Sequence, residues 1–256
     1  MTAPPFTEQG APDGFPVVFV HGLGDSHRAF EPVLTLLPDA LHAYAYTSRG
    51  HGDAGSPPGG YTVEDFALEL GGFLDSRGLE AALLAGASSG GLAVQRFAID
   101  HPERVLGIVF LGAPCTLHGN PAVEDTWDSV VSRLTDPVPE SFARDFQAAA
   151  ISRPIGDFFE VLVAEALKLP ARVWKATFLG LMADESCREA GRITAPVLAI
   201  WGALDPILTR AGQEARVAAI RGARLLVYED AGHAVYWEVP GRVAADVAAF
   251  AAGCGA

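Results

Sequence analysis

Short, continuously apolar runs recur along the chain, and each closes in a turn-forming segment that carries glycine or polar residues. Phe15 to Val20, Leu41 to Tyr46, Ala82 to Ala85, Leu106 to Leu111, Ala195 to Gly202 and Ala223 to Tyr228 are of this kind. Runs of this length without polar alternation predict parallel strands covered on both faces. Between them the apolar spacing changes to three and four. Phe66, Leu70, Phe73 and Leu74 share a helical face behind a Thr62/Asp65 capping box, with Gly78 as the stop, and a last helix from Pro240 buries Val243, Val247 and Phe250. Strand and helix in alternation predict an α/β fold built from right-handed βαβ units, with a mostly parallel central sheet and helices on both faces. The opening residues, rich in Pro and Gly, read as a tail.

The alternation stops at Cys115. From there to Gly191 the spacing is helical throughout, in segments separated by Pro137, Pro139, Pro154 and Pro170. The strand pattern then resumes as if uninterrupted. The predicted organisation is one core domain, residues 1–114 and 192–256, with a helical cap, or lid, inserted at 115–191. Its aromatic residues Trp127, Phe142, Phe158, Trp174 and Phe178 are expected to line a largely apolar substrate pocket.

Composition narrows the function classes. Half of the 256 residues are hydrophobic, which argues against disorder, and a net charge of −13 repels a polyanion. With no apolar run near the length of a membrane span and no basic-apolar leader, the expectation is a soluble cytoplasmic protein that meets neither membrane nor nucleic acid. The expected partner is a small-molecule substrate, with the chain a monomer or homodimer. Cys115, Cys187 and Cys254 are odd in number and lack metal-ligand spacing, so packing in a reducing compartment is their expected role. No cofactor or metal is expected.

Three strand ends carry chemistry. Gly86-Ala87-Ser88-Ser89-Gly90-Gly91 has the form of a nucleophile elbow, in which small neighbours let the chain reverse sharply and project one hydroxyl. Asp205 and His233 each stand just past a later predicted strand, so a parallel sheet would gather all three at one edge. A serine hydroxyl needs an adjacent imidazole to accept its proton, and that imidazole needs an acid to fix its tautomer. Asp230 is the reserve for the acid. His21 is read as orienting its own loop by hydrogen bonding, and His51 and Arg49 as bracing the neighbouring turn.

With the elbow, the order Ser, Asp, His, the early His21-Gly22-Leu23-Gly24, the turn Arg49-Gly50-His51-Gly52 and the closing Ala231-Gly232-His233, the chain resembles the α/β-hydrolase family over nearly its whole length. The resemblance implies a Ser88-His233-Asp205 triad, an oxyanion hole formed by the backbone N–H groups of Leu23 and Ser89, and a capped serine hydrolase of carboxylic esters or lactones. Ala87 and Ser89 stand where relatives often carry His and Met, changes expected to leave the mechanism untouched. Thr47 and Ala54 depart from the family's turn. Carbon–carbon bond hydrolases of ring-cleavage products and cofactor-free haloperoxidases or perhydrolases keep the same triad. A small-molecule receptor that retains the triad is the reading from another class.

Overall fold

In the computed structural model, which describes residues 4–255, Phe6–Gln9 forms β1. The apolar runs follow as β2 (Phe15–Val20), β3 (Leu41–Tyr46), β4 (Ala82–Ala87), β5 (Val105–Leu111), β6 (Val197–Gly202) and β7 (Arg224–Tyr228). They make one sheet in the order β1-β3-β2-β4-β5-β6-β7, parallel throughout except for β1, which runs antiparallel to β3. The strand β1 falls in what the sequence suggests is a tail. Its four residues include the exposed Glu8 and Gln9, so no apolar pattern marks it, and its partner lies far along the chain.

Among the described residues ten α-helices accompany the sheet: α1 (Glu31–Leu34), α2 (Val63–Arg77), α3 (Gly90–Asp100), α4 (Pro121–Ser129), α5 (Glu140–Ala148), α6 (Phe158–Ala166), α7 (Ala171–Ala183), α8 (Arg210–Ala219), α9 (Val235–Glu238) and α10 (Pro240–Cys254). Side chains alternate across each strand. Val17, Phe19, Leu83 and Ala85 therefore pack on the face covered by α1, α9 and α10, while Val18, Val20, Leu84 and Ile108 meet α2, α3 and α8 on the other. Local signals set the ends of α2. Thr62 Oγ1 accepts from Asp65 N–H at 3.2 Å, the Asp65 carboxylate accepts from Thr62 N–H at 3.0 Å, and Gly78 ends the helix at φ 69°.

The helices α4 to α7 lie between β5 and β6, and their apolar residues build a third cluster with Leu23, Tyr61, Phe66 and Leu92. Cys115 and Cys187, expected as packed thiols, are bonded to each other, with Cα atoms 5.2 Å apart and a sequence separation of 72. The two ends of the segment between β5 and β6 converge, which brings together residues whose spacing gave no sign of pairing. The cysteine argument for a reducing compartment falls with that correction. Arg216, fully buried in α8, braces the same region by donating to the carbonyls of Ala113 (2.7 Å) and Pro114 (2.8 Å), with its guanidinium 3.3 Å from the Phe110 ring centroid. Among the described residues no helix is long and apolar enough to cross a membrane.

Candidate active site

Ser88 occupies the sharp turn between β4 and α3 at φ 47°, the one non-glycine at positive φ among the described residues. A left-handed serine costs of order 1 to 3 kcal/mol and persists only where its surroundings hold it. Here Ser88 N–H donates to Leu111 O and Gly91 N–H to Ser88 O, both at 3.0 Å. The backbones beside it nearly touch. A Cβ on Gly90 would stand 2.3 Å from His21 O, and one on Gly86 2.6 Å from Gly91 Cα, so glycine is required at both.

The strand ends bring Ser88, His233 and Asp205 into one hydrogen-bonded line. His233 Nε2 is 2.9 Å from Ser88 Oγ, and Nδ1 is 2.8 Å from Asp205 Oδ2. Asp205 cannot swing freely, because its Oδ1 accepts from the backbone N–H groups of Ile207 (2.7 Å) and Leu208 (2.9 Å). A carboxylate only accepts, so Nδ1 carries the imidazole proton and Nε2 is left to accept from the Ser88 hydroxyl. Both the His233 and Asp205 side chains are buried. Asp230, the reserve acid, is exposed and engaged instead by Arg153 and Arg242, the latter at 3.1 Å.

The loop after β2 comes alongside the elbow, but its Leu23 N–H is already engaged. It donates to Ser89 Oγ at 2.8 Å. The hydroxyl of Ser89, a position expected to leave the mechanism untouched, thus accepts from one of the two N–H groups that the resemblance implies as oxyanion donors. His21 Nε2 accepts from Ser48 N–H at 3.0 Å, which leaves Nδ1 protonated to donate to Gly22 O at 2.7 Å. This ring ties the loop after β2 to the loop after β3. Burial, reinforced by the neighbouring His51, lowers its pKa to about 3, so it is neutral at physiological pH. His51 donates Nδ1 to Arg49 O at 3.0 Å and burial lowers it to about 4.

These buried rings make stability sensitive to acid. An unfolded histidine takes a proton near 6.5, whereas folded His21 and His51 resist until about 3 and about 4. Between those limits the unfolded chain holds more protons, so stability is lost as pH falls, by up to about 1.4 kcal/mol per pH unit for each ring. Asp25 acts in the opposite sense, since burial raises its carboxyl from 3.8 to about 7 and protonation favours the folded form. The urea midpoint of His51→Asn, measured between pH 4 and pH 6.5, is expected to depend less steeply on acid than that of the parent protein. An unchanged slope would exclude His51 as a source of the acid sensitivity.

A cavity of about 510 Å³ opens onto Ser88 and His233. Of the aromatic residues expected there, Phe178 lines it. Trp127 does not, and stacks behind Phe178 with ring centroids 6.2 Å apart. Trp174 is fully buried between Phe142 and Phe146, its centroid 5.0 and 4.8 Å from theirs, and of these three only Phe146 reaches the cavity. Phe158 packs against the main core instead. Helical spacing marks these residues as apolar-facing but cannot say which neighbour each one faces. Sequence reasoning also missed Asp25, Gln147, Tyr236 and Trp237 in the wall. An acidic residue in the Gly-rich loop beginning at His21, two positions past Leu23, was the available signal for Asp25.

Comparison with known proteins bears on the family and the fold. A family model described as "Alpha/beta hydrolase family" matches residues 17–246. The chain is 29% identical over 242 residues to a pimeloyl-[acyl-carrier protein] methyl ester esterase of Aromatoleum aromaticum, covering 88% of this chain and 93% of that one. It is 30% identical over 225 residues to the dihydrolipoyllysine-residue acetyltransferase component of the acetoin cleaving system of Cupriavidus necator, covering 85% of this chain and 58% of the other. A further curated relative is likewise spanned over 57% of its length. Among solved structures, the enol-lactonase from Burkholderia xenovorans LB400 superposes with a TM-score of 0.86 at 22% identity, covering 96% of this chain and 95% of that one.

Proposed function

The chain belongs to the alpha/beta hydrolase family, and on that premise we propose that it is a serine hydrolase of carboxylic esters or lactones, acting through an acyl-enzyme on Ser88. The observation that carries this reading is the line from Ser88 Oγ through His233 to Asp205, with separations of 2.9 and 2.8 Å. In this mechanism His233 Nε2 takes the hydroxyl proton as Ser88 Oγ attacks the scissile carbonyl, and Asp205 stabilises the resulting imidazolium. Collapse of the tetrahedral species expels the alcohol, which receives the proton from His233. Water, deprotonated by the same ring, then releases the acid and restores Ser88. The inserted helices act as the lid, presenting an apolar wall to a substrate of modest size. A fluorophosphonate probe together with a panel of short esters and lactones tests the reading. Labelling that is lost in Ser88→Ala, with turnover of at least one substrate class, is expected; an unlabelled Ser88 in folded protein would favour the receptor reading instead.

The backbone N–H groups of Leu23 and Ser89 serve as the oxyanion donors in this mechanism. Because the Ser89 hydroxyl holds the first of them, the developing oxyanion must displace it, exchanging one hydrogen bond of about 1 kcal/mol for another. Ser89→Ala removes the competitor. Its kcat is expected to rise several-fold, within the roughly tenfold range that such a bond allows, with KM little changed. A fall in kcat would show that the hydroxyl orients the loop rather than obstructs it.

A further inference from the structure

One charged side chain in the cavity wall takes no part in the chemistry above. Asp25 lies two residues beyond Leu23, only 3% exposed, and lines the same cavity as Ser88 and His233. A point one bond out from Gly22 Cα stands 3.1 Å from Ser88 Cβ and 3.5 Å from Asp25 Oδ2, so the carboxyl sits beside the nucleophile rather than at the far end of the cavity. Gln147, reaching down from α5, donates Nε2 to Asp25 Oδ1 at 3.1 Å. The Tyr236 hydroxyl and the Gly22 N–H also favour the charged form. A carboxylate has about four acceptor positions, and the Gln147 amide fills one of them, so Asp25 can accept further hydrogen bonds from a ligand in the cavity it lines. The surrounding wall is otherwise largely apolar, and neither lysine nor arginine is among its lining residues.

That combination is selective. A buried carboxylate short of a donor is costly, and leucine or asparagine would fill the same space without the charge. A ligand hydroxyl or ammonium group would supply what is missing. A ligand carboxylate would meet like charge beside a largely apolar wall with no lysine or arginine to offset it.

Resting on the ester or lactone reading above, we propose that Asp25, held by Gln147, is the specificity-determining subsite of this enzyme. It takes a hydrogen-bond donor carried on the substrate a few atoms from the scissile bond, and it rejects substrates that carry a carboxylate there.

Matched esters test this at mildly alkaline pH, where the carboxyl, with its pKa of about 7, is ionised. On the acyl side the comparison is methyl 3-hydroxybutanoate against methyl 3-methylbutanoate and the corresponding 3-carboxybutanoate. On the alcohol side it is 3-hydroxybutyl acetate against 3-methylbutyl acetate. In one of the two series the hydroxyl substrate is expected to exceed its methyl isostere in kcat/KM by roughly tenfold to a hundredfold. The carboxylate analogue is expected to be the poorest substrate. Asp25→Leu should bring the hydroxyl preference to about twofold or less, and Asp25→Asn should improve the carboxylate analogue relative to the other two.

Equal kcat/KM for hydroxyl and methyl partners of both series in the unmutated protein would overturn the subsite, whatever the variants do. Calorimetric binding of the same compounds to Ser88→Ala protein separates this proposal from the reading beneath it. Tighter binding of the hydroxyl compounds with no turnover by the parent protein would retain the subsite and strike the hydrolase. Rapid turnover without discrimination would do the reverse.

Discussion

Replacing Ser88 with alanine is expected to lower kcat on any hydrolysed ester by five to six orders of magnitude, to roughly the residual rate that binding and the oxyanion donors sustain alone. The reason is local. Ser88 Oγ is the atom to which His233 Nε2 is bonded at 2.9 Å, and a methyl group there can neither give up a proton nor form the acyl intermediate. The imidazole and Asp205 would remain in place with nothing to activate, so KM should move little. Steady-state kinetics on one good ester, with circular dichroism to confirm the fold, is sufficient. Activity within a hundredfold of the parent would refute covalent catalysis by this residue.

Asp205→Asn is expected to cost roughly ten-thousandfold in kcat, for a reason that lies in the backbone around it. Oδ1 of Asp205 accepts from Ile207 N–H and Leu208 N–H at 2.7 and 2.9 Å. An asparagine in the same rotamer must keep its carbonyl oxygen toward those two donors, which turns its NH₂ toward His233. The ring can then meet that donor only with an unprotonated Nδ1, which puts the proton on Nε2 and leaves Ser88 without an acceptor. The loss should sit in kcat and be relieved as pH rises, because hydroxide can partly replace the missing base. A loss confined to KM would mean that Asp205 only shapes the pocket.

How much of this was legible from the residues follows a physical boundary. The strands from Phe15 to Tyr228 and the ends of α2 depend on local hydrophobicity, capping and turn chemistry, and these are written in consecutive residues. Ser88, Asp205 and His233 could be picked out because a parallel sheet forces strand ends to one edge. Other features depend on side-chain direction or on meetings across the chain. Phe158 and Phe178 share the same helical character, yet one packs into the core and the other faces the cavity. The bond between Cys115 and Cys187, the hydrogen bond from Leu23 to Ser89 and the contact between Gln147 and Asp25 join segments separated by 72, 66 and 122 residues. No periodicity reports on such encounters.

The Cys115–Cys187 disulfide closes the stretch that holds α4 to α7 into a covalent ring hung from the sheet. A protease cutting the exposed stretch near Arg153 or Gly156 would yield two fragments that migrate as one band until a reductant is added. The same ring prevents the two ends of that stretch from parting like a jaw. Any widening of the cavity mouth must therefore come from sliding or fraying within the ring, so clipped but unreduced protein offers a way to watch substrate entry with the frame still closed.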